Sequence, residues 1–227
     1  LGVGNYVDRS SPVLIGTSSW IAVSCGQVHT LSIDVSSKLF GWGKYAAGQP
    51  SNNEIAIITD SSNNFTSVLT GSGQSVHVKK SDSTVYTWGN NLRTQIGLSS
   101  IYPFIQYPTI LPGSWSIVAS CEQITTAQAN TPVFGIATDG TLYNWGNYIA
   151  TPTLTTRYGT QLNYGNARGG GSWSSAAAGM SHGLFISTEG ELYSWGSNSF
   201  GEIGYPSTYT TFTKNFITPY SWSAISS

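Results

Sequence analysis

Five residues, Gly179-Met180-Ser181-His182-Gly183, spell G-x-S-x-G. In an α/β hydrolase this pattern is a nucleophile elbow, a strained strand-to-helix turn that exposes a serine hydroxyl at the top of a sheet. Ser181 would then attack an acyl carbon. No segment with a helical period follows, and Gly179-x-x-His182 stands in register with Gly26-x-x-His29. A pattern that recurs without its serine is explained by structure, and no catalytic residue is assigned.

His29 and His182 could serve as acid/base groups or metal ligands. Each stands alone, with no acidic or cysteine partner at fixed spacing. A repeated histidine at a strand start is expected to hydrogen-bond a neighbouring turn or blade, although two such histidines could still sense pH. Asp34, Asp82 and Asp139 sit in or beside expected turns, where carboxylates hold local backbone. Asn64-Phe65-Thr66 is a glycosylation triplet, but Phe65 falls on an expected core position. Cys25 and Cys121 are the only cysteines. They have no metal-ligand spacing and are expected as small core residues. No phosphate loop or paired-carboxylate motif occurs, so neither a cofactor nor a metal is expected.

Only 8% of the 227 residues are charged and the net charge is -1, against about 25% charged in an average domain. The surface must be covered by Ser, Thr, Asn, Gln and Tyr. No basic cluster exceeds Lys79-Lys80, so a nucleic-acid partner, which needs a basic stripe, is not expected. No apolar run approaches the roughly 18 residues of a membrane-spanning helix, and no membrane insertion is expected. The chain opens on "LGVGN", without signal peptide or initiator Met, and is expected to be cut from a longer polypeptide.

What positions these groups is a phrase spelled four times. Trp42, Trp88, Trp145 and Trp195, each followed by Gly, lie 46, 57 and 50 residues apart. Leu39-Phe40, Val85-Tyr86, Leu142-Tyr143 and Leu192-Tyr193 precede them. A second aromatic series, Trp20, Phe65, Trp115, Trp173 and Trp222, interleaves with the first. Six residues after its first four members come Gly26, Gly71, Cys121 and Gly179. Alternating runs follow at Thr30, Ser75, Phe134 and Gly183, then turns, clearest at Asp139-Gly140 and Glu189-Gly190. Asp-Gly between alternating runs predicts a hairpin, with glycine supplying the positive φ of a primed turn. Each unit therefore reads as four short antiparallel strands.

Such units cannot bury both faces alone; stacked radially they make a β-propeller. The expected fold is all-β, with four complete blades near 20–58, 65–110, 115–163 and 173–217, plus a partial blade at the termini. The whole chain, 1–227, is one propeller. The tryptophans fill the wedges between blades, and the glycine beside each lets the backbone turn or approach its neighbour.

The pattern resembles the regulator of chromosome condensation repeat. It is carried by "SSPVLIGTSSWIAVSCGQVHT" from Ser10 and "LYSWGSNSFGEIG" from Leu192. The chain departs from it in keeping the repeat histidine only at His29 and His182, with Gln74 in its place in the second unit and His77 one strand position later. The third unit carries an insertion at 122–132 and lacks the closing Gly-Gln-Leu-Gly. The resemblance implies a propeller, typically of seven blades, and as the family's best-known role nucleotide exchange on a Ran-type small GTPase joined to chromatin binding.

Three functions are weighed. The composition suits a non-enzymatic structural or adhesion domain of a virion or an extracellular surface, in the style of phage or bacterial surface proteins. An exchange factor is the alternative the resemblance implies, and a propeller lyase or hydrolase the third. Novelty should lie in the connectors, above all 122–132 and 147–171. The second holds Tyr148, Arg157, Tyr158, Tyr164 and Arg168, a composition suited to contacting a protein neighbour or a surface glycan.

Overall fold

The computed structural model describes residues 1–44, 52–57, 64–70, 75–98, 102–120, 132–146, 160–161, 173–179, 182–204 and 221–225. These residues form four antiparallel sheets and no helix. The first sheet holds β1 (Trp20–Cys25), β2 (His29–Asp34), β3 (Leu39–Gly43) and β4 (Asn52–Ile57). The second holds β5 (Phe65–Thr70), β6 (Ser75–Lys80), β7 (Val85–Asn90) and β8 (Phe104–Leu111). The third holds β9 (Trp115–Ser120), β10 (Val133–Ala137), β11 (Leu142–Trp145) and the short β12 (Thr160–Gln161). The fourth holds β13 (Trp173–Ala178), β14 (His182–Ser187) and β15 (Leu192–Gly196). Its expected outer strand lies outside the described residues.

Every sheet is a meander in which consecutive strands pair, and the register repeats. Thr30, Val76, Val133 and Gly183 stand opposite Trp42, Trp88, Trp145 and Trp195 respectively. The sheets are the blades of a β-propeller. Second strands are buried on both sides, as a sheet covered on both faces must be.

Blade stacking supplies the core. Leu31 and Ile33 of the first blade pack with Phe65, Val76, Val78 and Trp88 of the second. Val85 and Leu111 meet Trp115, Val133 and Trp145 of the third. Phe134 and Ile136 then meet Trp173, Phe185 and Trp195 of the fourth. Each such side chain contributes about 1.5–3 kcal/mol through burial. The four tryptophans of the Trp-Gly series are all 5% exposed or less.

A second device ties each blade to the next. Phe65 N–H donates to Ser37 O, Trp115 to Ser83, Trp173 to Gly140 and Trp222 to Gly190, at 2.9–3.2 Å. The aromatic residue that opens a blade is thus pinned to the β2–β3-type hairpin of the blade before it. Those acceptors are the hairpins' left-handed residues, with φ of +59°, +69°, +82° and +82°. In each hairpin that residue's N–H also closes the turn three residues back. Asp139 and Glu189 are absent from the positive-φ residues, so the turns are type I with a bulge rather than the expected primed type. Asp34, Asp82 and Asp139 accept main-chain N–H bonds across their turns at 2.8–2.9 Å. The bond from Thr84 lowers the pKa of Asp82 and that from Thr141 lowers the pKa of Asp139.

Serine at a left-handed position is strained by about 1–2 kcal/mol, a strain glycine avoids. Ser83→Gly is therefore expected to stabilise the fold by about 0.5–1 kcal/mol, and Gly140→Ala to destabilise it by about 1 kcal/mol. Urea midpoints measure both; a destabilised Ser83→Gly would contradict the shared turn geometry.

Three residues differ from the expected core. Trp20 is only half-buried, and Trp222, which opens no strand among the described residues, is 36% exposed. Cys25 is a free, exposed thiol, whereas Thr70, Ser120 and Ala178 at the matching place are buried. The cause is shared by Trp20 and Cys25. Thr70 reaches the preceding blade, where Ser24 Oγ lies 2.9 Å from its Oγ1. Among the described residues no sheet packs on the corresponding side of the first blade. Cys121 lies outside the described residues.

Candidate functional site

The meander gives each blade two unlike ends. At one end lie the hairpins joining second and third strands, each four residues long: 35–38, 81–84, 138–141 and 188–191. The opening aromatics are bonded to these same hairpins, so all four hairpins share one face of the propeller. At the other end emerge the connectors after first and third strands. These vary widely, from 26–28 between β1 and β2 to 121–132 between β9 and β10 and 91–103 between β7 and β8. The blade-to-blade links 58–64, 112–114 and 162–172 return on the hairpin face, but the three longest links between described strands, 91–103, 121–132 and 146–159, all leave from the other, which is therefore the candidate interaction face.

Two connectors of that face share one turn, written Asn-Leu-Arg-Thr-Gln-Ile-Gly from Asn91 and Asn-Ser-Phe-Gly-Glu-Ile-Gly from Asn198. Thr94 N–H bonds Asn91 O and Gly97 N–H bonds Thr94 O; Gly201 to Asn198 and Gly204 to Gly201 repeat this at 3.0–3.3 Å. Gln95 Oε1 accepts from Arg93 N at 2.8 Å, and Glu202 Oε2 accepts from Phe200 N at 2.8 Å. Main-chain bonding, led by the site's own backbone, keeps the pKa of Glu202 lowered. Ile96 and Ile203 anchor the turns at 0% and 2% exposure, and the Trp145 indole donates to Gln95 O at 2.9 Å. The tips point outward: Leu92 is 68% and Phe200 93% exposed. Neither tip was identified from sequence; the only signal was position, three or two residues before Gln95 or Glu202.

Tyr148, Arg157, Tyr158, Tyr164 and Arg168 lie outside the described residues, as do 122–131 of the insertion. β12 divides the long stretch expected as one connector. Tyr148, Arg157 and Tyr158 belong to the link from β11 to β12; Tyr164 and Arg168 belong to the link from β12 to β13. Ser181 also lies outside, but its flanks are clear. Gly179 follows β13 and His182 opens β14, its antiparallel partner, so the G-x-S-x-G stretch joins two strands and not a strand to a helix.

The histidines have a packing role. Gly26 N–H bonds His29 O, and Gly179 N–H bonds His182 O. A Cβ on Gly26 would lie 2.6 Å from the His29 ring, and one on Gly179 would lie 2.2 Å from the His182 ring. Each imidazole therefore covers its own turn. Burial pushes His29 down to about 4. In the second blade, Ser75 pairs with Gly89 as His29 pairs with Gly43. Ser75, not Gln74, thus takes the histidine's place, because the β5–β6 connector holds one more residue. His77 occupies a core position and is 2% exposed. Lys79 Nζ donates to Ser116 O of the third blade at 2.6 Å, and Lys80 lies over the rings of Phe65 and Tyr86 at 5.1 and 4.9 Å. The one basic pair is thus engaged within the blades. Among the described residues no three of His, Cys, Asp or Glu come together as metal ligands.

Residues 173–202 match the Regulator of chromosome condensation (RCC1) repeat. Over 202 residues the chain is 25% identical to the probable E3 ubiquitin-protein ligase HERC6 of Homo sapiens, covering 82% of this chain and 19% of that protein. Human WBSCR16 superposes with a TM-score of 0.71 at 17% identity, over 96% of this chain and 60% of that one. Prp20p of Saccharomyces cerevisiae, whose binding properties to Gsp1p and histones have been described, superposes with a TM-score of 0.67 at 18% identity, over 91% of this chain and 52% of that one. The chain thus spans about a fifth of the curated relative, and little more than half of each solved structure.

Proposed function

We propose, from the premise that the chain belongs to the regulator of chromosome condensation repeat family, that it is a non-enzymatic contact module whose long-loop face docks a protein. The observation that carries this is that the three longest links between described strands, 91–103, 121–132 and 146–159, all leave from one face. The opposite face carries four hairpins of one length and one bonding pattern together with the shorter blade-to-blade links 58–64, 112–114 and 162–172. Exposed Leu92 and Phe200, with half-buried Arg93 beside Leu92, give the long-loop face apolar anchors and a forked donor, the usual makings of a protein contact. A chain with only 8% charged residues suits a virion or extracellular assembly, with attachment only weakly dependent on salt; a surface glycan would use the same aromatic and hydrogen-bonding groups.

Nucleotide exchange on a small GTPase is the second function, favoured by the likeness to Prp20p. The two are separated by experiment. A photo-crosslinking p-benzoylphenylalanine at position 200 should capture a protein neighbour in the native assembly, and one at position 82, on the hairpin face, should not. Capture from 82 alone would overturn the assignment of the face. GDP release from a Ran-type GTPase should be unaccelerated by the chain; acceleration would replace the contact module with an exchange factor.

A further inference from the structure

We infer that the junction between the second and third blades is an acid-operated hinge, because His77 and Lys79 stand there where the two other junctions carry apolar pairs. The register makes the comparison direct. His77 pairs with Thr87 and Lys79 with Val85. The matching residues are Leu31 and Ile33 in the first blade and Phe134 and Ile136 in the third. Those four are 0–1% exposed and face the following blade. His77 faces it too, with its ring centroid 6.3 Å from that of Trp145. Lys79 reaches Ser116 O.

The groups around His77 set the sign of the effect. Lys79 shares its side of β6; Trp145 faces it across the junction, and the Gln95 main chain lies at its edge. No charged group contributes to its titration; burial pushes it down to about 4. In an opened junction the ring regains its ordinary value of 6.5. The open state therefore binds more protons between these values. Closure is at full strength above pH 6.5 and weakens as pH falls toward 4. At pH 5 the opening equilibrium rises about 30-fold over its value at pH 7.5. At neutral pH, Val85 and Leu111 against Trp115, Val133 and Trp145 keep the junction shut. His29 also titrates low, but it covers its own turn. Behind it Leu31 and Ile33 hold the first junction.

Hydrogen exchange of the full chain at pH 7.5 and 5.0, corrected for the chemical rate, tests the hinge. Protection over β6, β7 and β9–β11 should fall about 30-fold more than that over β13–β15. His77→Leu should abolish this difference, as should His77→Phe, which copies Phe134, should leucine disturb the fold. His29→Gln should leave it intact. Uniform loss of protection, no loss at pH 5, or a response that survives in both His77 variants would overturn the hinge.

Discussion

Replacing Trp88 with alanine is expected to lower the unfolding free energy by about 3–5 kcal/mol, the range for a fully buried aromatic. Trp88 is 0% exposed and packs among Leu31, Ile33, Phe65, Val76 and Val78 at the first blade junction. Its loss removes contact on both sides of the wedge at once. The second blade is a four-stranded meander held by its own ladder, so the wedge has little freedom to collapse and a cavity should remain. Phe200→Ala is the matched control. That side chain is 93% exposed, and its removal should change stability by less than about 0.5 kcal/mol. Urea unfolding with the slope held free measures both. Equal midpoints for Trp88→Ala and the parent chain would contradict the stacking of blades through the tryptophans.

The blades were legible because the residues that make them are large, rare and repeated. Trp42, Trp88, Trp145 and Trp195 end third strands at one register, and no local conformational choice could move them. Less legible was whatever depends on a residue that has no preferred place. Ser37 and Ser83 adopt positive φ as Gly140 and Gly190 do, yet serine carries no left-handed signature, so the turn was clear in only two of the four expected hairpins. The histidine position of the second blade was misplaced by one because the extra residue lies in a connector, where spacing alone does not say which side of the insertion is in register. Cys25 was expected in a core. Its strand was evident, but which side of a sheet is covered is set by the neighbouring blade and not by the strand's own sequence. The candidate face was legible as a consequence of meander topology. Its described tips, Leu92 and Phe200, were not, because an exposed apolar residue in a turn looks like any other until the turn's inward residues, Ile96 and Ile203, are known.

Gly43→Ala is expected to destabilise the fold by about 2–4 kcal/mol, far more than an exposed glycine would. The glycine beside each repeat tryptophan has φ of +91°, +100°, +93° or +109°, for Gly43, Gly89, Gly146 and Gly196 in turn. Non-glycine residues rarely adopt this conformation, and strain of this kind amounts to about 1–3 kcal/mol. A second effect adds to it. A Cβ on Gly43 would lie 2.5 Å from Val28 O and 2.8 Å from His29 Cα. Those atoms are main chain, fixed because Val28 O accepts the Lys44 N–H at 2.8 Å and because His29 pairs with Gly43. They cannot rotate aside as a side chain could. Gly201 separates the two effects: its φ is +83°, but nothing lies within 4 Å of its would-be Cβ, and Thr94 fills the matching place in the other turn at φ +57°. Gly201→Ala should therefore cost about 1 kcal/mol, from conformation alone. Thermal melts of the two variants give the comparison. If Gly43→Ala fell no further than Gly201→Ala, close backbone approach would not be the reason that glycine follows Trp42.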